Sequence, residues 1–211
     1  MNLECCFLVN SENKDIKMSE KFKTFNSFKI GDVKESEELE IEIGSSNTII
    51  QPFSLPAEIV SALEKNLGHE YNAHYTYRNA ANWCRNANYK KATAYFEAEA
   101  ASELDHAKGI QDYLTQWNVI PQIPEIDPAI EFGSLVDIIN KGYEIEYKLL
   151  LSYSKLQSSL IVEHPATFNF IQKYVDIQND SVAEYSDLLN ALCLINPDNK
   201  LDVLVFEERY F

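Results

Sequence analysis

The sequence predicts an all-α fold: a four-helix bundle made of two helical hairpins, joined by one long crossover and followed by a short C-terminal fifth helix. Three observations predict it. From Ser54 onward, apolar residues recur at spacings of three and four, the helical period. Six glycines in 211 residues are too few for a turn-rich all-β chain. The stretch Val119 to Gly133 contains Pro121, Pro124 and Pro128, so it is not helical throughout, yet it is long enough to traverse a bundle.

Residues 1–52 read differently from the rest. Lys, Asp, Ser and Asn dominate early, and the acidic run Lys34 to Ile43 ends in an alternation that places Leu39, Ile41 and Ile43 on one face. This composition predicts a solvated, weakly ordered extension or a short strand, with the main domain over residues 53–211. The apolar run Cys5 to Val9 is preceded by Glu4, whereas a secretory leader has a basic start and a longer apolar stretch.

The helices then follow in order. Pro56 suits a helix start, and the periodicity predicts helix A over about residues 55–86. A short turn at Asn86-Ala-Asn88 leads into helix B, about 88–118. Helix C spans about 134–162, and Pro165 fits the first turn of helix D, about 165–194. Asn196-Pro197-Asp198 ends D, and Lys200–Tyr210 has room for the short fifth helix. Each long helix is about 30 residues, or about 45 Å. An extended chain of about 15 residues spans at most roughly 50 Å, enough to run the bundle's full length. Helices B and C are therefore expected to be parallel, with A–B and C–D as antiparallel hairpins.

Charge and cysteines narrow the function. A net charge of −15 disfavours nucleic acid, whose phosphates are held by Lys and Arg, and favours cations. No window has the length and apolarity of a membrane-spanning helix. Cys5, Cys6, Cys84 and Cys193 have neither zinc-site spacing nor the look of a secreted disulfide framework, which points to the cytoplasm.

The chemistry lies where the seams are interrupted. Helix A presents Val60, Leu63, Leu67, Glu70, His74, Tyr77, Ala81 and Cys84 on its inner face. Helix B presents Phe96, Ala100, Glu103, Ala107, Ile110, Leu114 and Trp117. Helix C gives Leu135, Ile139, Gly142, Glu146, Leu149, Tyr153, Leu156 and Leu160. Helix D gives Phe168, Ile171, Val175, Gln178, Val182, Tyr185, Leu189 and Leu192. Near the middle of each stands a residue able to bind metal: Glu70, Glu103, Glu146 and Gln178. Helices of similar length lying side by side bring these four to one level. His106, three residues after Glu103, shares its face and can join them.

Three buried carboxylates cost several kcal/mol each unless neutralised, and no Lys or Arg stands in the seams. Divalent cations would neutralise them. Carboxylate oxygens with one imidazole suit iron or manganese, and a shared Glu can hold two ions close together. Tyr77, two turns after Glu70, is a candidate to hydrogen-bond a ligand or give up an electron. His74 is expected to pack or support the ligands, and Glu99 either guides ions inward or faces solvent. His69 and His164 read as peripheral.

In this order and spacing the residues resemble the ferritin family, specifically the bacterial non-haem ferritins. The resemblance covers about residues 54–210. It is carried by Asn66-Leu-Gly-His-Glu70 with Tyr77, Asn82-Trp-Cys84, Ser102-Glu-Leu-Asp-His-Ala107, Asp112-Tyr-Leu, Glu131-Phe-Gly-Ser-Leu135, Glu146, Thr167 to Val175 and Gln178. It implies a ferritin-like bundle in which Glu70, Glu103 and His106 hold one iron. Glu103 as a bridge, Glu146 and the neighbourhood of Gln178 then serve a second. It further implies that the chain is a ferroxidase passing electrons from Fe(II) to dioxygen or peroxide. The product would be stored in a hollow homo-oligomer of about 24 subunits, a closed symmetric shell.

Departures from the family pattern have consequences. Ser102, Ile177 and Ser181 stand where family members often have carboxylates, removing groups that a third iron site uses. Lys173 replaces a common Trp. Helix D lacks the second Glu-x-x-His of bacterioferritins, and Leu104 occupies the place of their haem-binding Met, so no haem is expected.

Overall fold

The computed structural model describes residues 52–126 and 130–211. Its elements are α1 (Ala57–Asn86), α2 (Lys90–Gln116), α3 (Leu135–Leu160), α4 (Pro165–Leu192) and α5 (Lys200–Tyr210). All four expected long helices and the fifth are present, with ends within two residues of the expected ones. The extension and strand expected over residues 1–52 lie, but for Pro52, outside the described residues.

Local chemistry explains the boundaries. Pro56 takes an extended conformation (φ −54°, ψ 142°) and its carbonyl accepts the first helical bonds, so α1 begins one residue later. At the other end Asn88 adopts φ 65°, with Tyr89 N–H bonded to Cys84 O and Asn88 N–H to Arg85 O. The same pattern closes α2 through Asn118 at φ 60°. In both places Asn supplies the left-handed residue that more often is Gly, and the chain leaves the helix there. Ser134 caps α3 by accepting from Asp137 N–H (3.1 Å), while Asp137 Oδ2 accepts from Gly133 N–H (3.2 Å). His164, read from sequence as peripheral, is the N-cap of α4, with Thr167 N–H bonded to its Nδ1 (3.3 Å) and Pro165 just inside the helix.

The crossover follows α1. Asn118 Nδ2 donates to Phe53 O (3.0 Å), Gln122 N–H donates to Glu64 Oε1 (3.0 Å), and Asn79 Nδ2 donates to Ile130 O. Between the last two, Pro124 lies against Gly68, where an added Cβ would be 3.4 Å away. Residues 118, 122, 124 and 130 thus lie against positions 53, 64, 68 and 79 in order, which delivers α3 beside the end of α1. Hence α1 and α3 run antiparallel.

Inside, Leu63, Leu67, Phe96, Ile110, Leu114 and Ile139 are fully buried. The expected seam of α3 is buried at every position. On α4 Ile171, Gln178 and Tyr185 are buried as expected, but the positions between them shift by one residue: Thr167, Tyr174 and Leu188 are buried, and Phe168, Val175 and Leu189 are only half-buried. The apolar stripe of α4 is wider than one seam, so periodicity alone left its rotation open. On α1, likewise, Ala73 is buried and His74 half-buried.

α5 docks through a carboxylate. The start of α2 has no side-chain cap of its own and no acidic residue in its first turn. Glu207, buried on α5, fills that role: its Oε1 accepts from Lys91 N–H (2.6 Å) and Ala92 N–H (3.0 Å). Two of the amides left unpaired at a helix start are satisfied, and negative charge meets the positive end of the helix dipole. Lys91 Nζ adds contacts to Glu208 O (2.6 Å) and Oε2 (3.0 Å). Burial, with Glu207 nearby, pushes the Cys84 thiol up to about 12. Glu207→Ala is therefore expected to cost roughly 1–3 kcal/mol and free α5 first. Limited proteolysis should cut before Lys200 in the variant; equal protection in both proteins would show that apolar packing alone holds α5.

Candidate metal centre

The four seam interruptions lie inside the bundle. Glu70, Glu146 and Gln178 are wholly buried and Glu103 is 3% exposed. Glu70, Glu103 and His106 converge: one donor atom from each lies within 4.8 Å of the others. His106 Nδ1 is 3.4 Å from Glu103 Oε2 and 3.6 Å from Glu70 Oε2. The i, i+3 spacing of Glu103 and His106 gives the first of these contacts directly.

Glu146 enters from α3 and is gripped from two sides. The Tyr77 hydroxyl donates to its Oε1. The Gln178 amide, in the orientation its neighbours require, donates to Glu146 Oε2 (2.7 Å) and to the Glu146 carbonyl oxygen (3.2 Å). Gln178 thus meets the centre through Glu146. His74 Nδ1 lies 2.5 Å from Ala100 O, so that ring ties α1 to α2.

Sequence reading did not assign Tyr153, Tyr174 or Tyr185 to the centre. Tyr153, fully buried, donates its hydroxyl to Glu70 Oε1. Its ring stacks on Tyr174 (centroids 5.0 Å, 19°), whose hydroxyl donates to His106 O (3.1 Å). Tyr185 stacks on Tyr77 at 6.2 Å. Two glycines make room for these rings. A Cβ on Gly109 would sit 2.6 Å from the Tyr174 hydroxyl oxygen, and one on Gly142 would collide with the Tyr185 ring. A signal was present in the chain: Tyr77 follows Glu70 by seven residues, and Tyr153 follows Glu146 by seven. Because α1 and α3 are antiparallel, each tyrosine reaches the glutamate of the other helix.

Electrostatics describe a centre short of positive charge. Burial raises Glu103 well above the usual carboxylate range; Glu70 and Glu146 add to this, and the His106 hydrogen bond opposes it. Burial likewise pushes Glu146 up to about 7, against the Tyr77 hydrogen bond. Burial alone would lower His106, but the Glu103 carboxyl it bonds and the Glu70 carboxyl beside it prevail and lift it to about 10. Burial holds Tyr77 and Tyr153 far above their ordinary range, so both hydroxyls stay protonated donors. Glu99, half-buried a turn before Glu103, is pushed to about 7 by burial and then by Glu184, with His106 opposing.

No Lys or Arg among the described residues is paired with Glu70, Glu103 or Glu146; His106 is the cationic partner of Glu70 and Glu103. Lys173 instead lies over the Phe170 and Tyr174 rings, 4.5 and 4.8 Å from their centroids. Glu70 Oε2 is buried and makes no hydrogen bond. A buried carboxylate oxygen without a hydrogen bond, grouped with the Glu103 carboxyl and the His106 imidazole, is the kind of donor set that hard, oxygen-preferring cations take.

Comparison with known proteins bears on the family and the fold. A family model described as a ferritin-like domain matches residues 60–195. A bacterial non-heme ferritin of Campylobacter jejuni is 30% identical over 143 residues, covering 67% of this chain and 86% of the relative. The bacterial non-heme ferritin of Escherichia coli O157:H7 is 25% identical over 143 residues, covering 66% and 86%. Among solved structures, an open pore ferritin from Archaeoglobus fulgidus superposes with a TM-score of 0.69 at 23% identity, over 74% of this chain and 98% of that one. A Chlorobium tepidum ferritin gives 0.65 at 23% identity, over 73% and 94%. At that identity the structural likeness speaks for the four-helix fold alone. No helix among the described residues is long and apolar enough to cross a membrane.

Proposed function

This chain belongs to the ferritin-like domain family, and from that premise we propose that it stores iron, oxidising Fe(II) at the buried centre and depositing the ferric product within an oligomeric shell. The observation that carries this reading is the convergence of Glu70, Glu103 and His106 in the bundle, with Glu146 also buried there and Glu70 Oε2 making no hydrogen bond. Family membership names the metal as iron. The donor chemistry suits iron.

Fe(II) is the substrate. Glu70, Glu103 and His106 take one ion, and Glu103 with Glu146 takes a second, so that the carboxylates favour the more highly charged ferric product. Each ion gives up one electron; the pair reduces dioxygen, with two protons, to hydrogen peroxide, or carries peroxide on to water. Tyr77 and Gln178 hold Glu146 through its two oxygens, leaving it little freedom to turn away. His106, cationic without metal, must release its proton to become a ligand, so the centre loads more readily as pH rises from the acid range. Haem has no part in this reading, and the cytoplasm is its compartment.

The test is size-exclusion chromatography with light scattering on full-length protein, with iron counted across the same peak. A particle of about 24 subunits that retains far more iron than a pair of ions per chain is the expected result. A small oligomer with no more than a pair of irons per chain would instead make the protein a di-iron oxidoreductase acting on a small substrate. A particle that takes no iron after anaerobic ferrous loading would leave a structural bundle.

A further inference from the structure

The two tyrosines at the centre are related by a local two-fold arrangement that the sequence repeats as Glu-x6-Tyr. Tyr77 of α1 donates to Glu146 of α3, and Tyr153 of α3 donates to Glu70 of α1. We propose that Tyr153 is a positioning residue of the metal centre, fixing Glu70 so that its Oε2 is presented to the ion shared with His106. This rests on the ferroxidase reading above and adds a residue that reading does not require.

The geometry is specific. A glutamate carboxyl rotates about its last bond, so its two oxygens exchange unless one is held. Tyr153 holds Oε1, and Oε2 is left without a hydrogen bond, 3.6 Å from His106 Nδ1. Tyr153 is itself fixed: it is fully buried and stacked on Tyr174, which is in turn anchored to His106 O on α2. Gly109 leaves space for that anchor. Through these contacts Glu70 on α1, Tyr153 on α3, Tyr174 on α4 and His106 on α2 form one linked set around the ion's place. A ligand held by a partner outside the coordination sphere binds metal about 10–100-fold more tightly than a free one.

The experiment compares the full-length wild type with Tyr153→Phe, which keeps the stacked ring and removes only the hydroxyl. Cobalt(II) alone is the probe, because it is not oxidised in air and its visible bands report the number and geometry of its ligands. Wild type should take up cobalt in two steps. Tyr153→Phe should weaken one step about tenfold or more and change the intensity of that step's visible band, at an unchanged helical content. The mirrored variant Tyr77→Phe should weaken the other step. Unaltered affinity and spectrum in Tyr153→Phe would overturn the proposal. So would both tyrosine variants weakening the same step, which would mean that either hydroxyl merely supports the core. A wild type that binds no cobalt at the centre would overturn the ferroxidase reading itself, and this inference with it.

Discussion

Glu103→Ala is expected to slow rapid ferrous oxidation by more than about 100-fold, because losing a shared ligand must exceed the 10–100-fold that follows loss of a ligand's supporting partner. Glu103 lies among the others: it bonds His106 at 3.4 Å and is raised by both Glu70 and Glu146. Removing it separates a Glu70–His106 half from a Glu146 half, so no ion pair can form for concerted two-electron reduction of oxygen. The fold should survive. The variant deletes a carboxylate whose charged form burial already penalises, leaving a space that water or neighbouring side chains occupy. Stopped-flow mixing of anaerobic Fe(II)-loaded protein with oxygenated buffer reads the rate, and thermal melts verify folding. A rate within tenfold of wild type in a folded variant would sink the assignment of Glu103 as the bridge.

The second large effect concerns stability without metal. Burial lifts Glu146 from the ordinary 4.5 to about 7, so between those values the folded chain holds a proton that the unfolded chain has released. Its contribution is fully present below about pH 4.5 and is lost as pH rises through about 7. At about 1.4 kcal/mol per unit, ionised Glu146 costs about 3 kcal/mol at pH 8. His106 works over another range: raised to about 10, it stabilises below 6.5 and loses that contribution as pH climbs through about 10. Comparing wild type with Glu146→Gln isolates the first effect, because the amide keeps the shape and an oxygen for Tyr77 but does not titrate. Ion-free, the two should melt together near pH 4.5, and the variant should lead by roughly 5–10 °C at pH 8. Saturating divalent cation should close or reverse the gap, since tight binding to the native wild type adds about 3 kcal/mol at a hundred times the dissociation constant. A wild type that gains on the variant between pH 5 and 8 would contradict the electrostatics described above.

The two variants separate binding from burial. Both lose a proposed ligand, yet only the pH dependence distinguishes a carboxylate that the fold tolerates from one that the fold needs. On the proposed reading the centre works against the ion-free bundle, and a bound cation would relieve it.

Periodicity alone determined a great deal. Spacings of three and four marked four helices to within two residues, and the prolines between Val119 and Gly133 marked the crossover. Seam position alone put Glu70, Glu103, Glu146 and Gln178 in the interior, because which face of a helix turns inward is a local property of its own residues. Glu103 and His106 were a pair already in the chain, three residues apart on one turn. What the tertiary structure decided depends on relations between helices. The crossed pairing of Tyr77 with Glu146 and Tyr153 with Glu70 requires α1 and α3 antiparallel at one particular height. Gln178 turning its amide to Glu146 depends on the rotation of α4, which its wide apolar stripe left open by one residue. Glu207 caps α2 from 116 residues along the chain, and no local pattern in either segment encodes that partnership. Local spacing fixes the face of each helix; heights, rotations and distant partners follow only when all the faces must be buried together.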